Sequence, residues 1–416
     1  METNKIIPIE DIGTLAYQPL VDRKIVLGVT GSSSIYRSID LARKLIRMGA
    51  SVRVVMTRFA AKLISPDLFH WATGSKPYIE MTGETEHIDL AKWGDAMVIA
   101  PATLNTMSKI AYGILDELVA LTATTMLGAG KKVIIVPAMN IRLYNSPQYR
   151  EASSILEKQG VVVYPPLIVE DKAKYPPIDD LLHCIDAIIN RGLDARDLRI
   201  LVTAGATREY IDPVRVITNP SSGLMGILIA REAACRGGKV TLVHGDVRID
   251  IPYLVEKIYT DTTDDMSKEI HELTKRIQYD ITIFSAAPAD YKPKVTNNVK
   301  IPSRLKSELV IELVSTSKVI KSVYNRPRIV VGFAAETAAG DILLEKAREK
   351  LVEYSLDLIV ANNIISELGG FGKEFLEAVI MDKTSILKKG ILTKYEIARI
   401  VMDYSITSLR NKLINQ

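Results

Sequence analysis

Histidine is scarce in this chain, with five in 416 residues, and one of them sits in a stretch that invites chemistry. His87 stands in "GETEHIDLAKWGD" (Gly83–Asp95) among Glu84, Glu86 and Asp89, just ahead of the apolar run "AMVIAP". An imidazole there can be a solvated surface group, a metal ligand or a catalytic acid–base. The first half offers too few histidines and cysteines nearby for a zinc site. Read locally, a lone histidine among acids is a surface residue, and its context has to decide.

Other reactive residue types fall in loops. "VTGSSSIYRS" (Val29–Ser38) sets Gly31, Ser32, Ser33 and Ser34 where a strand turns into a helix. Free N–H groups and hydroxyls there suit a phosphate, or simply a tight capped turn. The stretch is not GxGxxG, and the next strand ends in Met56-Thr57-Arg58, without an acid to take a ribose hydroxyl. That disfavours a nicotinamide dehydrogenase. "APATLNT" (Ala100–Thr106) and "VPAMN" (Val136–Asn140) leave strands through prolines and bring Asn105 and Asn140, beside Thr103 and Met139, to one sheet edge. Such asparagines are turn formers, or they line a pocket for a flat polar ligand. In the second half, "TNPSSGLMG" (Thr218–Gly226) repeats the Ser/Gly helix start after Asn219. "SAAPADYKP" puts Asp290 past a strand, where a carboxylate can hold Mg²⁺ on a triphosphate. "NNVKIPS" (Asn297–Ser303) offers Lys300, a solvated lysine or one that closes over a charged intermediate. Since "GATREY" lacks a GK[ST] ending, any nucleotide site here is not a Walker A loop.

The elements that must position these loops read twice over. Arg23–Thr57 and Leu198–Gly245, about 175 residues apart, each show a β-branched strand, a small-residue loop, an amphipathic helix, a glycine stop and a second strand. This predicts two α/β domains in tandem, each a mainly parallel sheet covered by helices. The expected organisation is an N-terminal arm over 1–22, a first domain over 23–192 and a second over 193–416. Further strands are expected at Ala96–Ala100, Val133–Val136, Val161–Tyr164, Ile258–Tyr259, Ile281–Ala286, Val310–Leu313, Ile329–Phe333, Leu358–Ala361 and Ala378–Met381. Helices are expected over Thr103–Leu127, Asp264–Ile277, Asp341–Tyr354 and Tyr395–Leu413. Ligands of such sheets sit beyond the carboxyl ends of the strands, where these loops fall.

Composition narrows the class. Apolar residues make up 47% and charged residues 25%, with a net charge of +4 and no basic cluster, so nucleic acid is not expected as a partner. No apolar run reaches the ~18 residues that span a bilayer, and "METNKIIPIEDIG" has no signal-peptide core. Two distant cysteines, Cys184 and Cys235, argue against a disulfide framework and fit a cytoplasmic protein.

Taken in order, the loops resemble a known family. "GVTGSSSIY", "HIDLAKWGDAMVIAPATLNTMSKIAYGILDEL" and "PAMN" look like the flavin-dependent cysteine decarboxylases. "TAGATREYIDPVRVITNPSSGLMG", "AAPADY", "KIPS", "GFAAET" and "LDLIVANN" look like a phosphopantothenate–cysteine ligase. The whole chain from about Arg23 resembles the bifunctional phosphopantothenoylcysteine decarboxylase / phosphopantothenate–cysteine ligase of coenzyme A biosynthesis. The resemblance implies a flavodoxin-like FMN domain followed by a Rossmann-like ligase domain. It also implies ligation of cysteine to 4′-phosphopantothenate through an acyl-nucleotide, using Mg²⁺ and CTP or ATP. FMN-dependent decarboxylation of 4′-phosphopantothenoylcysteine then follows.

An N-acyl cysteine has no electron sink for loss of CO₂, and oxidising its thiol to a thioaldehyde provides one; that redox chemistry belongs to FMN. By resemblance, His87 supports thiol oxidation and decarboxylation, and Asn140 binds the substrate carboxylate. Gly31–Ser34, Thr57, Ala100, Pro101, Thr103, Asn105 and Thr106 hold FMN. Asn219 and Lys300 serve the acyl-nucleotide, and Asp290 takes the metal–triphosphate. Ala286, Ala287, Ser317, Lys318, Val319, Ile320, Phe333 and Lys350 contact the nucleotide. The resemblance also implies a homo-oligomer, with trimeric contacts in the first domain and dimeric contacts in the second that together would close a dodecamer.

The chain also departs from the family. Where many decarboxylases carry a flap Cys-Gly motif, "PPLIVEDKAKYPPIDDLLHC" has no cysteine; Ala173 or a neighbour stands there. Cys184, on an expected helix, reads as a buried core thiol; Lys172, Lys174 and Tyr175 are alternative proton donors. Leu143 replaces the methionine of PAMNxxM, and Tyr354 replaces a second lysine beyond Lys350. Three readings stay open: the full bifunctional enzyme, a ligase whose decarboxylase half is impaired or releases the enethiol, and a flavoprotein-fold regulatory subunit.

Overall fold

A computed structural model describes residues 17–302, 308–365, 373 and 375–414. Most of the N-terminal arm (1–16) and Ser303 of the "KIPS" loop lie outside the described residues. The chain divides into two compact units, Met1–Asn190 and Arg191–Gln416.

The first unit carries strands β1 (Lys24–Val29), β2 (Ser51–Met56), β3 (Ala96–Ala102), β4 (Lys132–Pro137), β5 (Met139–Asn140), β6 (Val162–Val163), β7 (Leu167–Val169) and β8 (Lys172–Lys174). Its helices are α1 (Arg37–Arg47), α2 (Arg58–Leu63), α3 (Pro66–Thr73), α4 (Glu86–Trp93), α5 (Leu104–Tyr112), α6 (Leu118–Gly128), α7 (Ile141–Tyr144), α8 (Pro147–Lys158) and α9 (Ile178–Arg191). The main sheet runs β2-β1-β3-β4-β6, all parallel. "KIVLGV" and "AMVIAPA" are buried along nearly their whole length, as strands covered on both faces must be. From β1 the chain moves outward to β2, then returns to the other side as β3. The strand order therefore reverses between β1 and β3, the place where such sheets bind ligands.

The second unit repeats the scheme on a larger scale. Its strands are β9 (Arg199–Ala204), β10 (Arg208–Tyr210), β11 (Val216–Thr218), β12 (Lys239–His244), β13 (Glu256–Tyr259), β14 (Ile281–Phe284), β15 (Tyr291–Pro293), β16 (Leu313–Ser315), β17 (Ile329–Glu336), β18 (Leu358–Asn363), β19 (Phe375–Asp382) and β20 (Ile386–Thr393). Helices α10 (Leu224–Cys235), α11 (Thr263–Arg276), α12 (Gly340–Glu353) and α13 (Lys394–Ile414) cover it. The sheet order is β13-β12-β9-β14-β17-β18-β19-β20, parallel as far as β18 and antiparallel beyond. Its reversal point lies between β9 and β14. The helices divide by face: Ile227 and Ile397 of α10 and α13 pack in one core, and Met266 and Leu343 of α11 and α12 in another.

Three sequence expectations are corrected. The helix expected over Thr103–Leu127 is two helices, because Gly113 takes φ 69° at the α5 end and Ile114 N–H closes on the Lys109 carbonyl at 2.8 Å. The strand expected at Val310–Leu313 starts at Leu313 and pairs antiparallel with β15 in a separate two-stranded ribbon. Cys184 is 1 % exposed on α9, but no cysteine among the described residues is a free thiol. It is therefore neither a free core thiol nor a proton donor. Among the described residues no helix is long and apolar enough to cross a membrane, and no cluster of three or more His, Cys, Asp or Glu could hold a metal.

Candidate functional site

In the first unit, hydroxyls stitch the ends of β1 and β3 together. The Thr30 hydroxyl donates to the Pro101 carbonyl (2.8 Å) and accepts from Thr103 N–H (3.0 Å). The Ser38 hydroxyl donates to the Ala100 carbonyl at 2.7 Å. Ser32 reaches across to the Ala138 carbonyl after β4 at 3.3 Å. These bonds hold open a cleft of about 470 Å³ lined by Gly31, Ser32, Thr103, Asn105, Met139 and Leu143. Ala100, Pro101 and Thr106 are buried behind its wall, and Ser33 and Ser34 stand on the turn beside it without lining it. Thr57 is spent as the cap of α2, accepting from Ala60 N–H at 3.1 Å.

Asn140 occupies the last position of β5 and is exposed. Its side-chain oxygen caps α7 by accepting from Arg142 N–H at 2.9 Å. The "EDKAKYPP" segment docks here. β7 and β8 form a hairpin whose two turn residues, Glu170 and Asp171, have φ 51° and 55°, the left-handed pair that a two-residue hairpin turn requires. β8 pairs antiparallel with β5, setting Met139 opposite Ala173 and Asn140 opposite Lys172. Directly opposite residues share a face of the ladder, so Lys172 is the flap residue beside Asn140. Ala173 faces inward at 2 % exposure, Lys174 pairs with Glu170 at 2.6 Å, and the Tyr175 phenol is buried, with burial pushing its pKa well up. Of the three donors considered in place of the cysteine, Lys172 alone combines exposure with a place opposite Asn140.

His87 is half-buried at the second position of α4 and does not line the Gly31 cleft. Its neighbour Glu86 is buried and accepts from the Thr82 hydroxyl and from Thr82 N–H (2.9 Å), which hold its carboxyl below the usual range.

The second unit gathers its candidates more completely. A cleft of about 450 Å³ at the carboxyl edge of the sheet is lined by Asn219, Ala286, Ala287 and Asp290, by Ser317–Ile320, and by Phe333 and Lys350. Thr203, at the end of β9, ties the β14 loop down: its hydroxyl accepts from Ser285 and Ala286 N–H, each at 3.1 Å. The Asn219 amide donates to the Ala287 and Pro288 carbonyls at 3.1 and 2.9 Å, leaving its oxygen for a ligand. The start of α10 rests directly on β9, and a Cβ on Gly226 would lie 2.6 Å from the Ala204 Cβ. Asp290 is paired with Lys318 at 2.6 Å, which raises the lysine's pKa. Lys350 pairs with Glu336, as does Lys346 at 2.8 Å. Tyr354 also lines the cleft.

Lys300 does not line this cleft; it is exposed on a loop held from below. Asp212, fully buried between β10 and β11, accepts from Ile301 N–H at 3.1 Å, and Arg215 donates to the Ile301 carbonyl at 3.1 Å. Burial pushes the Asp212 carboxyl up, but N–H groups of Val214, Ile301 and Arg215 and the Arg215 guanidinium outweigh it and hold its pKa at about 2. Sequence reasoning passed over Asp212, Thr203 and Lys394, another residue of this cleft. For Lys394 a signal was there: "TKYE" is a Thr-x-x-Glu capping box, with a lysine at the end of the helix that disfavours cations.

Comparison with known proteins fits both units. Residues 15–190 match the family model described as Flavoprotein, and residues 195–408 match the DNA/pantothenate metabolism flavoprotein C-terminal domain. The Coenzyme A biosynthesis bifunctional protein CoaBC of Thermococcus kodakarensis is 39% identical over 92% of this chain and 95% of its own length. The protein of the same name from Vibrio cholerae is 35% identical over 85% and 90%. A crystal structure of the C-terminal domain of a CoaBC protein shows 32% identity, covers 52% of this chain and 98% of its own, and has a TM-score of 0.43. With a relative of this identity aligned along nearly its whole length and both halves matched in order, the chain belongs to the family of bifunctional coenzyme A biosynthesis enzymes.

Proposed function

We propose that the chain performs two consecutive steps: the second unit joins cysteine to 4′-phosphopantothenate, and the first decarboxylates the product to 4′-phosphopantetheine. The observation that carries this reading is the single cleft in which Asn219, Asp290, Lys318, Phe333 and Lys350 converge at the sheet's reversal point. Activating a carboxylate on a nucleotide α-phosphate requires neutralised phosphoryl charge. Lys318 and Lys350 supply cations, Asp290 supplies a carboxylate for Mg²⁺ on the triphosphate, and Phe333 supplies an apolar wall for the base. CTP, or ATP in its place, is the co-substrate. The Asn219 oxygen and Lys300, on its tethered loop, serve the acyl-nucleotide.

The Gly31 cleft suits FMN in size and character, its lining joining the polar Ser32, Thr103 and Asn105 with the apolar Met139 and Leu143. When bound, FMN supplies the redox chemistry that gives the departing carboxylate an electron sink. The chain's own residues orient the substrate: Asn140 holds the carboxylate, and His87 moves the proton of the thiol. Because His87 lies off the cleft of its own chain, this assignment goes with a homo-oligomer in which a neighbouring copy completes the site. A cytoplasmic location accompanies this role.

The variant reading, release of the enethiol, rests on the flap alone: Ala173 stands inward and no cysteine among the described residues is a free thiol. Lys172, exposed opposite Asn140, is the donor proposed in its place, and the full two-step reading is preferred.

The test is direct. The purified protein is examined for a flavin spectrum, then given 4′-phosphopantothenate, cysteine, Mg²⁺ and CTP or ATP, with products identified by mass. Phosphopantetheine supports the full reading, the enethiol supports the variant, and absence of both flavin and turnover refutes each. His87→Asn is expected to abolish decarboxylation and spare ligation, and Lys300→Gln the reverse; loss of both activities in either variant would refute this division of labour.

A further inference from the structure

Lys394 has no part in the roles assigned above. It is the first residue of α13, is 5 % exposed, and lines the second-unit cleft together with Asn219, Leu224, Met225, Phe333 and Asn362. Among the described residues nothing accepts a hydrogen bond from its ammonium, and burial is the sole influence on it, pushing its pKa down. The nearest carboxylate in sequence is otherwise engaged. Glu396 accepts from Thr393 N–H and from the Thr393 hydroxyl, both at 2.8 Å, and so serves the helix cap.

The position is unfavourable twice over. A cation largely withdrawn from water, whose ammonium meets only the cleft and has no partner among the described residues, is costly, and the N-terminus of a helix repels positive charge. A leucine or methionine would fill the same space without either cost. An anion arriving in the cleft would remove both, and a second helix start, α10 after Gly223, opens on the same space. The cleft also has two sides. Lys318 and Lys350 stand with α11 and α12, whereas Lys394 stands with α10 and α13. Cations on both sides of one sheet edge suit a reaction that brings two anionic substrates together.

We propose that Lys394 is a binding residue of the ligase site, receiving an oxyanion of a bound substrate at the α10/α13 side of the cleft. This rests on the ligase reading. The oxyanion belongs either to the nucleotide or to the acid substrate, and separate binding measurements distinguish them.

The experiment uses the full chain with Lys394→Met and Lys394→Arg. CTP–Mg²⁺ and 4′-phosphopantothenate are titrated separately by calorimetry, ligation is followed by pyrophosphate release, and thermal unfolding is recorded without ligand. Lys394→Met is expected to lose roughly 10- to 100-fold in affinity for one of the two, the loss of a charge-assisted hydrogen bond. Lys394→Arg should retain more, and the ligand-free methionine variant should unfold no earlier than wild type. Loss for CTP alone assigns the nucleotide, and loss for 4′-phosphopantothenate alone assigns the acid. Wild-type affinities and KM values in both variants overturn the proposal. So does early unfolding of both variants with affinities intact, which would make Lys394 a packing residue whose stem covers apolar surface. If the wild-type chain itself releases no pyrophosphate, the ligase reading falls instead.

Discussion

Asp212→Asn should untie the Lys300 loop while leaving the ligase cleft itself in place. One oxygen of Asp212, Oδ1, accepts from Val214 and Arg215 N–H at 2.8 and 2.9 Å and fixes the local turn. The other, Oδ2, accepts from Ile301 N–H at 3.1 Å and from the Arg215 guanidinium at 2.5 Å. Asparagine keeps the first oxygen and replaces the second with an NH₂, so donors face donors. Two charge-assisted bonds go, and the loop keeps Asn297 N–H on the Ile211 carbonyl and the Thr296 hydroxyl on the Tyr210 carbonyl, both at 3.0 Å. Ligation should therefore fall by roughly 10- to 100-fold, the scale of one such bond, because the remaining contacts hold the loop base. The assay is pyrophosphate release beside hydrogen exchange of residues 297–301, with the decarboxylase half as internal control. The pH dependence adds a check. The folded pKa of about 2 lies below the ordinary aspartate value of 3.8, so the tether is at full strength above that value and is lost only as pH falls toward 2. The deficit should then be the same at pH 6 and pH 8. Unchanged ligation with faster exchange of the loop would refute a role for loop order; unchanged exchange would refute the tether.

Other perturbations test other links. Arg236→Ala should destabilise the second unit by about 3–5 kcal/mol, since Arg236 is 1 % exposed and bridges Asp194, Glu232 and Asp403; urea unfolding of the full chain would show it as an earlier transition. Gly226→Val should cost about 1–3 kcal/mol by forcing α10 off β9 and weaken CTP binding, with flavin content unchanged. Glu336→Gln should free Lys350 and tighten CTP by roughly two- to fivefold at low salt. Burial raises the Glu336 carboxyl, but Lys346 and Lys350 more than offset it and hold it below 4.5. Its contribution is thus present above that value and lost as pH falls through the depressed one, and the variant should unfold with a shallower acid dependence.

Much of this was legible because the strands are buried on both faces. "KIVLGV" and "RILVTA" read as strands without help, and the strand-end loops follow from them. The broken helix was legible in principle, as "AYGILDEL" carries the glycine that stops it. The flap was not: its hairpin rests on two non-glycine residues in left-handed conformation and on a register with β5 that no local pattern encodes. β20 escaped for a similar reason. "ILKKGILT" is an exposed, lysine-bearing edge, and its apolar alternation is too weak to announce a strand. Asp212 is bonded to Ile301, distant in sequence, and Lys394 has no partner among the described residues; neither fact appears until the chain is folded.

The ion pairs in the ligase cleft have a consequence for how a triphosphate arrives. Asp290 on Lys318 and Glu336 on Lys350 act as resident counter-ions, so much of the cleft's positive charge is already answered from within. Such a surface exerts little long-range pull, and encounter with the nucleotide should vary weakly with ionic strength. On the nucleotide reading proposed above, binding would be an exchange at close range: phosphate oxygens would displace carboxylates from the lysines, and the freed Asp290 would be left to meet the metal that comes with the phosphates.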